Sequence, residues 1–368
     1  MNKKIVLAEP LINNSESIKI LRKVIKSNFI NEGKLARLFE KKISKLLKVK
    51  YVSCVTSGTI AIFSALKSLG ITRKDEVLVP NLTYPATINA ISLLGAKPVL
   101  VDINKNDLLM NIKDLNRKIT KKTKAIVAVH ISGRGSNIKK LCEIAKKRKV
   151  QLVEDAAEAF MSKIKGKSLG TFGKVGCFSF APNKILTTGQ GGAIVTNDRK
   201  IYKEILKLKD QGRVGIKTGG EDTYDSIGYN FKFTNLQAAL GLSQLISIKN
   251  RVQKLKKNYK FYQKEIKQGE NLKLFNFDLK KGELPLWTDI ICMKRNKLFE
   301  YLKKKNIYCR YFCHPINSLK PYKSSFEKFP NSKNLKGKLM WLPSSLNLKK
   351  RDLYKICKLI NNFYKNSQ

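Results

Sequence analysis

The sequence lacks the features that would place the protein in a membrane, outside the cell or around a structural metal ion. No apolar run approaches the roughly 20 residues that are needed to cross a bilayer. The hydrophobic segment near the N-terminus is too short for a secretory signal. The seven cysteines are odd in number, and Cys309 and Cys313 have no second ligand pair with which to build a zinc site. We therefore expect a cytoplasmic protein with structural thiols and no metal.

Acidic residues are scarce, with 27 aspartates and glutamates against 74 lysines and arginines, and the formal net charge is +47. Such a charge suits a nucleic acid, an anionic membrane or a phosphorylated substrate as the partner. The lysines are spread along the chain, however, and no basic patch interleaved with aromatic residues accompanies them. Solvated lysine-rich faces are therefore favoured over a nucleic-acid partner. The alternative, polyanion binding, predicts salt-sensitive retention with little sequence dependence.

Residues 50–200 alternate between short apolar runs and amphipathic stretches of helical length, such as 60–69 and 136–147. The runs of strand length are 51–55, 76–79, 98–101, 125–129, 150–153 and 175–180. Apolar strands that alternate with helices predict an α/β fold, with a mostly parallel central sheet and helices on both faces. In such a sheet, ligands bind beyond the carboxyl ends of the strands.

The length of 368 residues allows one large domain and one smaller domain. We expect a large domain over 1–245, with an N-terminal arm over about 1–25, and a smaller α+β domain over 246–368. The apolar spacing of 235–262 predicts one long amphipathic helix. Beyond that helix the predicted elements are shorter and prolines are frequent, which is the basis for the second domain.

Polar residues that follow the strands are expected on one edge of the sheet: residues 56–59, Tyr84, His130 and Asp155. Residues 56–59 open a helix, where backbone amides and small hydroxyls suit a phosphate, although an ordinary N-cap would use the same residues. Tyr84 either stacks on a flat heterocycle or packs a loop. His130 is expected only to order its loop.

The segment 176–192 carries the most specific chemistry. It is predicted to form a buried strand, a turn that presents Lys184 and a glycine-rich return into a second strand at 193–197. Upstream, the strand 151–155 ends in Asp155 within apolar surroundings. A desolvated lysine supplies the neutral amine that imine formation requires, and a buried carboxylate can keep a pyridinium protonated. A surface-turn lysine and a helix-capping aspartate are the alternatives.

With these motifs, the chain resembles the DegT/DnrJ/StrS-type sugar aminotransferase family within the fold-type I pyridoxal-phosphate enzymes. The resemblance runs nearly end to end, and it is most specific where the lysine and aspartate motifs occur together. The segments that carry it are 29–33, 56–59, 75–80, 83–84, 95–99, 153–158, 178–180, 184, 189–192, 228–230, 236–239 and 341–345.

The resemblance implies that pyridoxal 5′-phosphate is the cofactor and that it is held by specific residues. Lys184 would form the imine with it and move the proton during the reaction. Asp155 would hold the pyridine nitrogen, and Tyr84 would stack on the ring. The phosphate would lie among Ser57, Gly58, Thr59, Ser179 and, from a neighbouring subunit, Asn230. A homodimer with shared active sites is therefore expected.

Three further residues have less defined roles in the resemblance. Glu158 stands where many members carry glutamine near the ring hydroxyl, and as a carboxylate it can only accept hydrogen bonds. The segment 307–315 resembles the region that shapes the sugar-nucleotide pocket. Arg310 and His314 would there bind substrate phosphates or serve the structure.

The implied activity is transfer of an amino group from glutamate to a nucleotide-linked keto-deoxysugar. Glu158 and residues 310–312 favour a 4-keto-6-deoxyhexose, as in perosamine-type members. The product would enter cell-surface polysaccharide or antibiotic-sugar synthesis. One alternative is a sugar dehydratase, but such relatives typically replace the lysine by histidine. The other is a regulatory or scaffolding protein without activity, and Lys184 and Asp155 argue against it.

Overall fold

A seven-stranded sheet lies at the centre of the computed structural model, which describes residues 4–135, 137–214 and 222–365. The first nine strands are β1 (Tyr51–Val55), β2 (Glu76–Pro80), β3 (Lys97–Val101), β4 (Thr123–Val129), β5 (Gln151–Asp155), β6 (Lys163–Ile164), β7 (Lys167–Ser168), β8 (Val175–Ser179) and β9 (Gly192–Thr196). The order in the sheet is β1-β9-β8-β5-β4-β2-β3, and β6 pairs with β7 separately. β9 runs antiparallel to both neighbours, and the other six strands run in one direction.

Helices cover both faces of this sheet. The first eight are α1 (Asn14–Lys26), α2 (Lys34–Leu47), α3 (Gly58–Ser68), α4 (Pro85–Leu93), α5 (Ile112–Lys118), α6 (Ile138–Arg148), α7 (Arg199–Lys209) and α8 (Asn235–Leu245). α3, α4 and α7 share a core with Val77 and Ile194, whereas α2, α5, α6 and α8 share one with Leu78 and Val195. Successive strand residues thus face opposite layers. The predicted α/β fold with a mostly parallel sheet is confirmed.

The prediction of a single helix over 235–262 is wrong. α8 ends at Leu245, and α9 (Ile248–Glu265) begins after a two-residue turn. At this turn the Arg251 guanidinium binds the Ile185 carbonyl and the Gln244 side chain, whose amide also donates to the Thr187 carbonyl. These contacts with the loop before β9 fix the change in direction. Apolar spacing does not register the break, because it continues on both sides.

A second, antiparallel sheet lies in the C-terminal part of the chain. Its strands are β10 (Leu272–Leu274), β11 (Thr288–Cys292), β12 (Arg310–Tyr311) and β13 (Leu339–Leu342), in the order β10-β11-β13-β12. The remaining helices are α10 (Arg295–Lys304), α11 (Pro330–Leu335) and α12 (Lys350–Lys365). α9, α10 and α12 pack with this sheet around a core that includes Tyr259, Met340 and Ile356.

Two segments connect the sheets. Ile5 pairs with Ile307 and enters the C-terminal core. In the other direction, the Asp102 carboxylate after β3 accepts hydrogen bonds from the backbone N–H groups of Asn331 and Ser332 in α11. The domain boundary after residue 245 stays a prediction. Within the described ranges, no helix has the length and apolar character required to span a bilayer.

Candidate active site

A cavity of about 300 Å³ opens at the carboxyl ends of the parallel strands. The predicted site residues that line it are Ser57, Gly58, Thr59, Tyr84, Asp155, Glu158, Ser179, Lys184 and Arg310. Asn230 and His314 lie outside it, and both are exposed in this chain. The fold therefore brings most of the predicted set to one place, from positions spread over more than two thirds of the sequence.

The N-terminus of α3 contributes a closely packed part of the wall. Ser57 caps this helix, and its Oγ accepts a hydrogen bond from a backbone N–H of the first turn at 3.2 Å. A Cβ on Gly58 would lie 2.8 Å from the Ser179 Cβ, and one on Gly192 would lie 2.4 Å from the Ser57 carbonyl oxygen. Small residues are thus required here, and the helix dipole favours an anion. The N-cap and phosphate-binding interpretations are compatible.

Asp155 ends β5 as a buried carboxylate on the cavity wall. It accepts hydrogen bonds from the Thr87 hydroxyl at 2.7 Å and the Ala157 N–H at 3.1 Å, and the Thr83 hydroxyl lies 2.9 Å from that of Thr87. Burial raises the pKa of the Asp155 carboxyl, although the two hydrogen bonds and the charge of Lys184 oppose the shift. Turns follow Asp155 rather than a helix, so the helix-capping alternative is wrong.

Lys184 lies in the loop that joins β8 to β9. Hydrogen bonds from Phe180 N to Gly191 O and from Thr188 N to Phe180 O close this loop. The lysine side chain is only 13% exposed, and its Nζ lies 3.5 Å from Oε1 of Glu158. The side chain therefore reaches into the cavity, and the surface-turn alternative does not hold.

Three donors converge on the Glu158 carboxylate. The Ser132 N–H reaches Oε2 at 2.8 Å, while Trp287 Nε1 and Lys184 Nζ reach Oε1 at 3.1 and 3.5 Å. An acceptor-only group satisfies all three, whereas a glutamine would turn its NH₂ group towards one of them. The local surroundings therefore explain glutamate at this position.

Ser132 forms hydrogen bonds both to Glu158 and to the C-terminal sheet. Its backbone lies in the left-handed region, with φ of 55°, and its hydroxyl donates to Asp289 of β11 at 2.8 Å. Its carbonyl accepts a hydrogen bond from Leu286 N at 3.0 Å. Asp289 also forms a buried ion pair with Arg134. The position of the Glu158 carboxylate thus depends on contacts from both sheets.

His130 lines the cavity, but its ring nitrogens are engaged elsewhere. Nε2 lies 2.7 Å from Oε2 of Glu154, and Nδ1 lies 3.2 Å from the Arg134 carbonyl oxygen. Glu154 also accepts hydrogen bonds from backbone N–H groups of the segment 170–173. These contacts agree with a role in ordering the loops.

Thr87, Trp287 and Trp341 also line the cavity and were not predicted. Thr87 lies in the first turn of α4, where a hydroxyl residue is a weak signal because such residues are common there. The two tryptophans are the only ones in the chain. That scarcity was a usable signal, but both belong to the C-terminal part and only tertiary packing brings them to the site.

A cavity lysine, a buried carboxylate at a strand end and a helix N-terminus together define a pyridoxal-phosphate transferase of fold type I. The sequence profile of the DegT/DnrJ/EryC1/StrS aminotransferase family matches residues 12–361. The chain therefore belongs to this aminotransferase family.

Individual proteins resemble this chain over nearly their whole length. The GDP-perosamine synthase of Escherichia coli O157:H7 is 35% identical over 367 residues, which cover 98% of this chain and 99% of that protein. The aminotransferase PseC of Helicobacter pylori, involved in pseudoaminic acid biosynthesis, superposes with a TM-score of 0.92 at 25% identity, covering 99% and 100% of the two chains. Spr1654 from Streptococcus pneumoniae in its PLP form superposes with a TM-score of 0.94 at 23% identity over the full length of both chains.

The predicted family, the aminotransferase activity and pyridoxal 5′-phosphate as the cofactor are confirmed. The residues of the cavity fit this group. The N-terminus of α3 presents backbone N–H groups and the hydroxyls of Ser57, Thr59 and Ser179 at the cavity wall, which suits a phosphate, and Tyr84 offers a ring that is 55% exposed. The raised pKa of Asp155 marks a buried carboxylate without a full cationic partner, which a protonated pyridine nitrogen would supply.

Proposed function

We propose that this aminotransferase moves an amino group from glutamate to C4 of a GDP-linked 4-keto-6-deoxyhexose in the cytoplasm. The observation that carries the proposal is the joint placement of Lys184 and Asp155 in one cavity of a chain similar end to end to a GDP-perosamine synthase. Perosamine is a 4-amino-4,6-dideoxyhexose. The chain acts on a nucleotide sugar. The proposal adds guanine as the base, C4 as the position of the keto group and glutamate as the amino donor.

The bound cofactor supplies an aldehyde that accepts amines and a ring that withdraws electrons. Nζ of Lys184 takes the proton from the α-carbon of glutamate and later delivers one to C4 of the sugar. Glu158, 3.5 Å from Nζ, holds the ammonium while it carries that proton. Asp155 would hold the protonated ring nitrogen of the cofactor, whose charge favours the ionised carboxylate. Arg310 offers a cation to the diphosphate.

The two alternative functions have less support. A silent scaffold would not need a largely buried lysine and a buried carboxylate, Lys184 and Asp155, on the wall of one cavity, since buried charges are costly. A dehydratase of this family would be expected to lack the lysine, which this chain retains.

The acceptor can be tested with purified protein, pyridoxal phosphate and glutamate. We expect an amino sugar from a GDP-linked 4-keto-6-deoxyhexose, with kcat/KM about tenfold or more above that for the dTDP- and UDP-linked equivalents. Production of 2-oxoglutarate and mass spectrometry of the sugar nucleotide measure it. A 3-keto isomer serves as the control for ring position. Failure to aminate any 4-keto sugar nucleotide would contradict the proposal.

We also propose a homodimer in which Asn230 completes the phosphate site of the other subunit. Asn230 is exposed and lies outside its own cavity. Asn230 pairs with Asp210, next to Lys209, which binds Glu32, and two large apolar side chains that precede Glu32 and Asn230 in sequence, Phe29 and Ile227, are exposed. Such a surface is suited to a subunit contact.

Mixing two inactive variants tests this sharing. Lys184→Ala and Asn230→Ala are each expected to have low activity, whereas refolding them together restores about a quarter of the wild-type activity, because half of the dimers are mixed and have one intact site. Light scattering gives the oligomeric state. Absence of recovery in a proven mixed dimer would show that the sites are not shared.

A further inference from the structure

Trp341 carries a buried hydrogen-bond donor that is not used by the protein. It lies in β13 and is 4% exposed, and its Nε1 has no acceptor within the described ranges. Among the residues that the structure describes, the other buried side-chain atoms without a partner belong to Ser53, Ser64, Arg134 and Arg213, none of which lines the cavity. A buried N–H without a partner costs free energy, which a ligand that accepts its hydrogen bond can recover.

The second tryptophan of the cavity wall differs in this respect. The ring of Trp287 lies 5.8 Å from that of Trp341, but its N–H is bound to Glu158. The two indoles therefore form one apolar wall with a single unused donor. Phe312 packs on Trp341 at 4.7 Å, which holds the ring in place.

Arg310 stands beside this wall. It is paired with Trp341 across β12 and β13, and its guanidinium lies 5.8 Å from the indole ring. Arg310 is exposed, whereas Lys184 is largely buried. A sugar nucleotide that presents C4 to Lys184 and its diphosphate to Arg310 must place the hexose between them, along the indole wall.

We infer that the Trp341 N–H donates a hydrogen bond to a hydroxyl group of the hexose, and that the indole wall receives the apolar C–H face and the 6-deoxy methyl group. Trp341 is thus a residue that selects the acceptor and does not contact glutamate. A hexose suits this wall, because it combines apolar C–H groups, which pack on an indole ring, with hydroxyl oxygens, which accept a hydrogen bond from an indole N–H. The inference rests on the proposed function, since it assumes a nucleotide-linked hexose.

The test is Trp341→Phe, which keeps an aromatic ring and removes the donor. The KM for the keto-sugar nucleotide is expected to rise five- to tenfold, a typical range for one neutral hydrogen bond, while the KM for glutamate stays unchanged. A second protein with benzothienylalanine at 341, in which sulfur replaces the N–H, should give the same result with less change in shape. Phe312→Leu is the control for movement of the ring alone.

Binding measurements separate the hexose from the phosphates. The nucleotide base is the one that the wild-type enzyme uses best. Calorimetry compares two ligands that carry this base: the free nucleoside diphosphate, and its conjugate with a 6-deoxyhexose that has a hydroxyl at C4. For guanine these are GDP and GDP-rhamnose. The variants should lose affinity for the conjugate and not for the free diphosphate. Equal loss for both, or no loss for either, would overturn the inference. Wild-type enzyme that aminates no nucleotide sugar would instead overturn the proposed function.

Discussion

Lys184→Ala is expected to lower kcat for amino transfer by a factor of about 10⁴, because it removes both the amine that holds the cofactor and the group that moves the proton. The fold should survive, since the loop around Lys184 is closed by backbone hydrogen bonds and the side chain is not part of the apolar core. Stopped-flow absorbance after addition of glutamate measures the donor half-reaction, and chromatography of the product measures the whole reaction.

Lys174→Ala is the matched control for this experiment. Lys174 precedes β8, is half exposed and pairs with Asp198 on the surface, so its loss should cost little stability and no activity. The visible absorption band of lysine-bound pyridoxal phosphate should be present in the control and absent in Lys184→Ala. A Lys184→Ala protein that retained more than about a tenth of wild-type kcat would place the proton transfer on another group.

The parts of the site that were predictable are those whose signal is local in sequence. Asp155 and Lys184 each follow an apolar strand, and Ser57 opens a helix after one, so strand ends in a parallel sheet were sufficient to place them together. The sheet itself was predictable because its strands are apolar throughout. The reversed direction of β9 was not, since a short glycine-rich return does not reveal strand direction.

The remainder depends on contacts between distant segments. Thr87 acquires its role only because α4 packs beside the end of β5, and Trp341 because the C-terminal sheet meets the cavity. The break between α8 and α9 is set by Arg251 and Gln244, which bind loop carbonyls rather than change the apolar pattern. Sequence spacing carries no record of such contacts.

Asp155→Asn is expected to change cofactor binding and apoprotein stability in opposite directions. The variant cannot supply a negative charge to the ring nitrogen, so kcat/KM should fall about 10²-fold and the cofactor should bind more weakly. The hydrogen bonds need not be lost, because the amide can donate to Thr87 and accept from Ala157, while the Thr87 hydroxyl turns to Thr83. The functional loss would then report the missing charge rather than a collapsed site.

The stability of the apoprotein gives the second half of this prediction. Burial raises the pKa of Asp155 above its ordinary value of 3.8, so the native state binds more protons than the unfolded state between 3.8 and the raised value. The contribution of Asp155 to stability is thus present at low pH and is lost as the pH rises through the folded pKa. Apo Asp155→Asn should therefore melt above wild type at pH 7, and the difference should shrink towards pH 4.

Asp198→Asn is the contrasting control, because hydrogen bonding to Lys174 lowers the pKa of this surface carboxyl. The contribution of the Asp198 carboxylate to stability is present above pH 3.8, its ordinary pKa, and is lost as the pH falls. The variant should therefore not melt above wild type at pH 7. Calorimetry over pH 4–8, with and without pyridoxal phosphate, measures both variants. Saturating cofactor should reverse the order of wild type and Asp155→Asn, because only the carboxylate pairs with the protonated ring. An apo Asp155→Asn protein that melts below wild type at pH 7 would contradict the prediction. It would mean that a cation of the protein already compensates the Asp155 carboxylate in the absence of the cofactor.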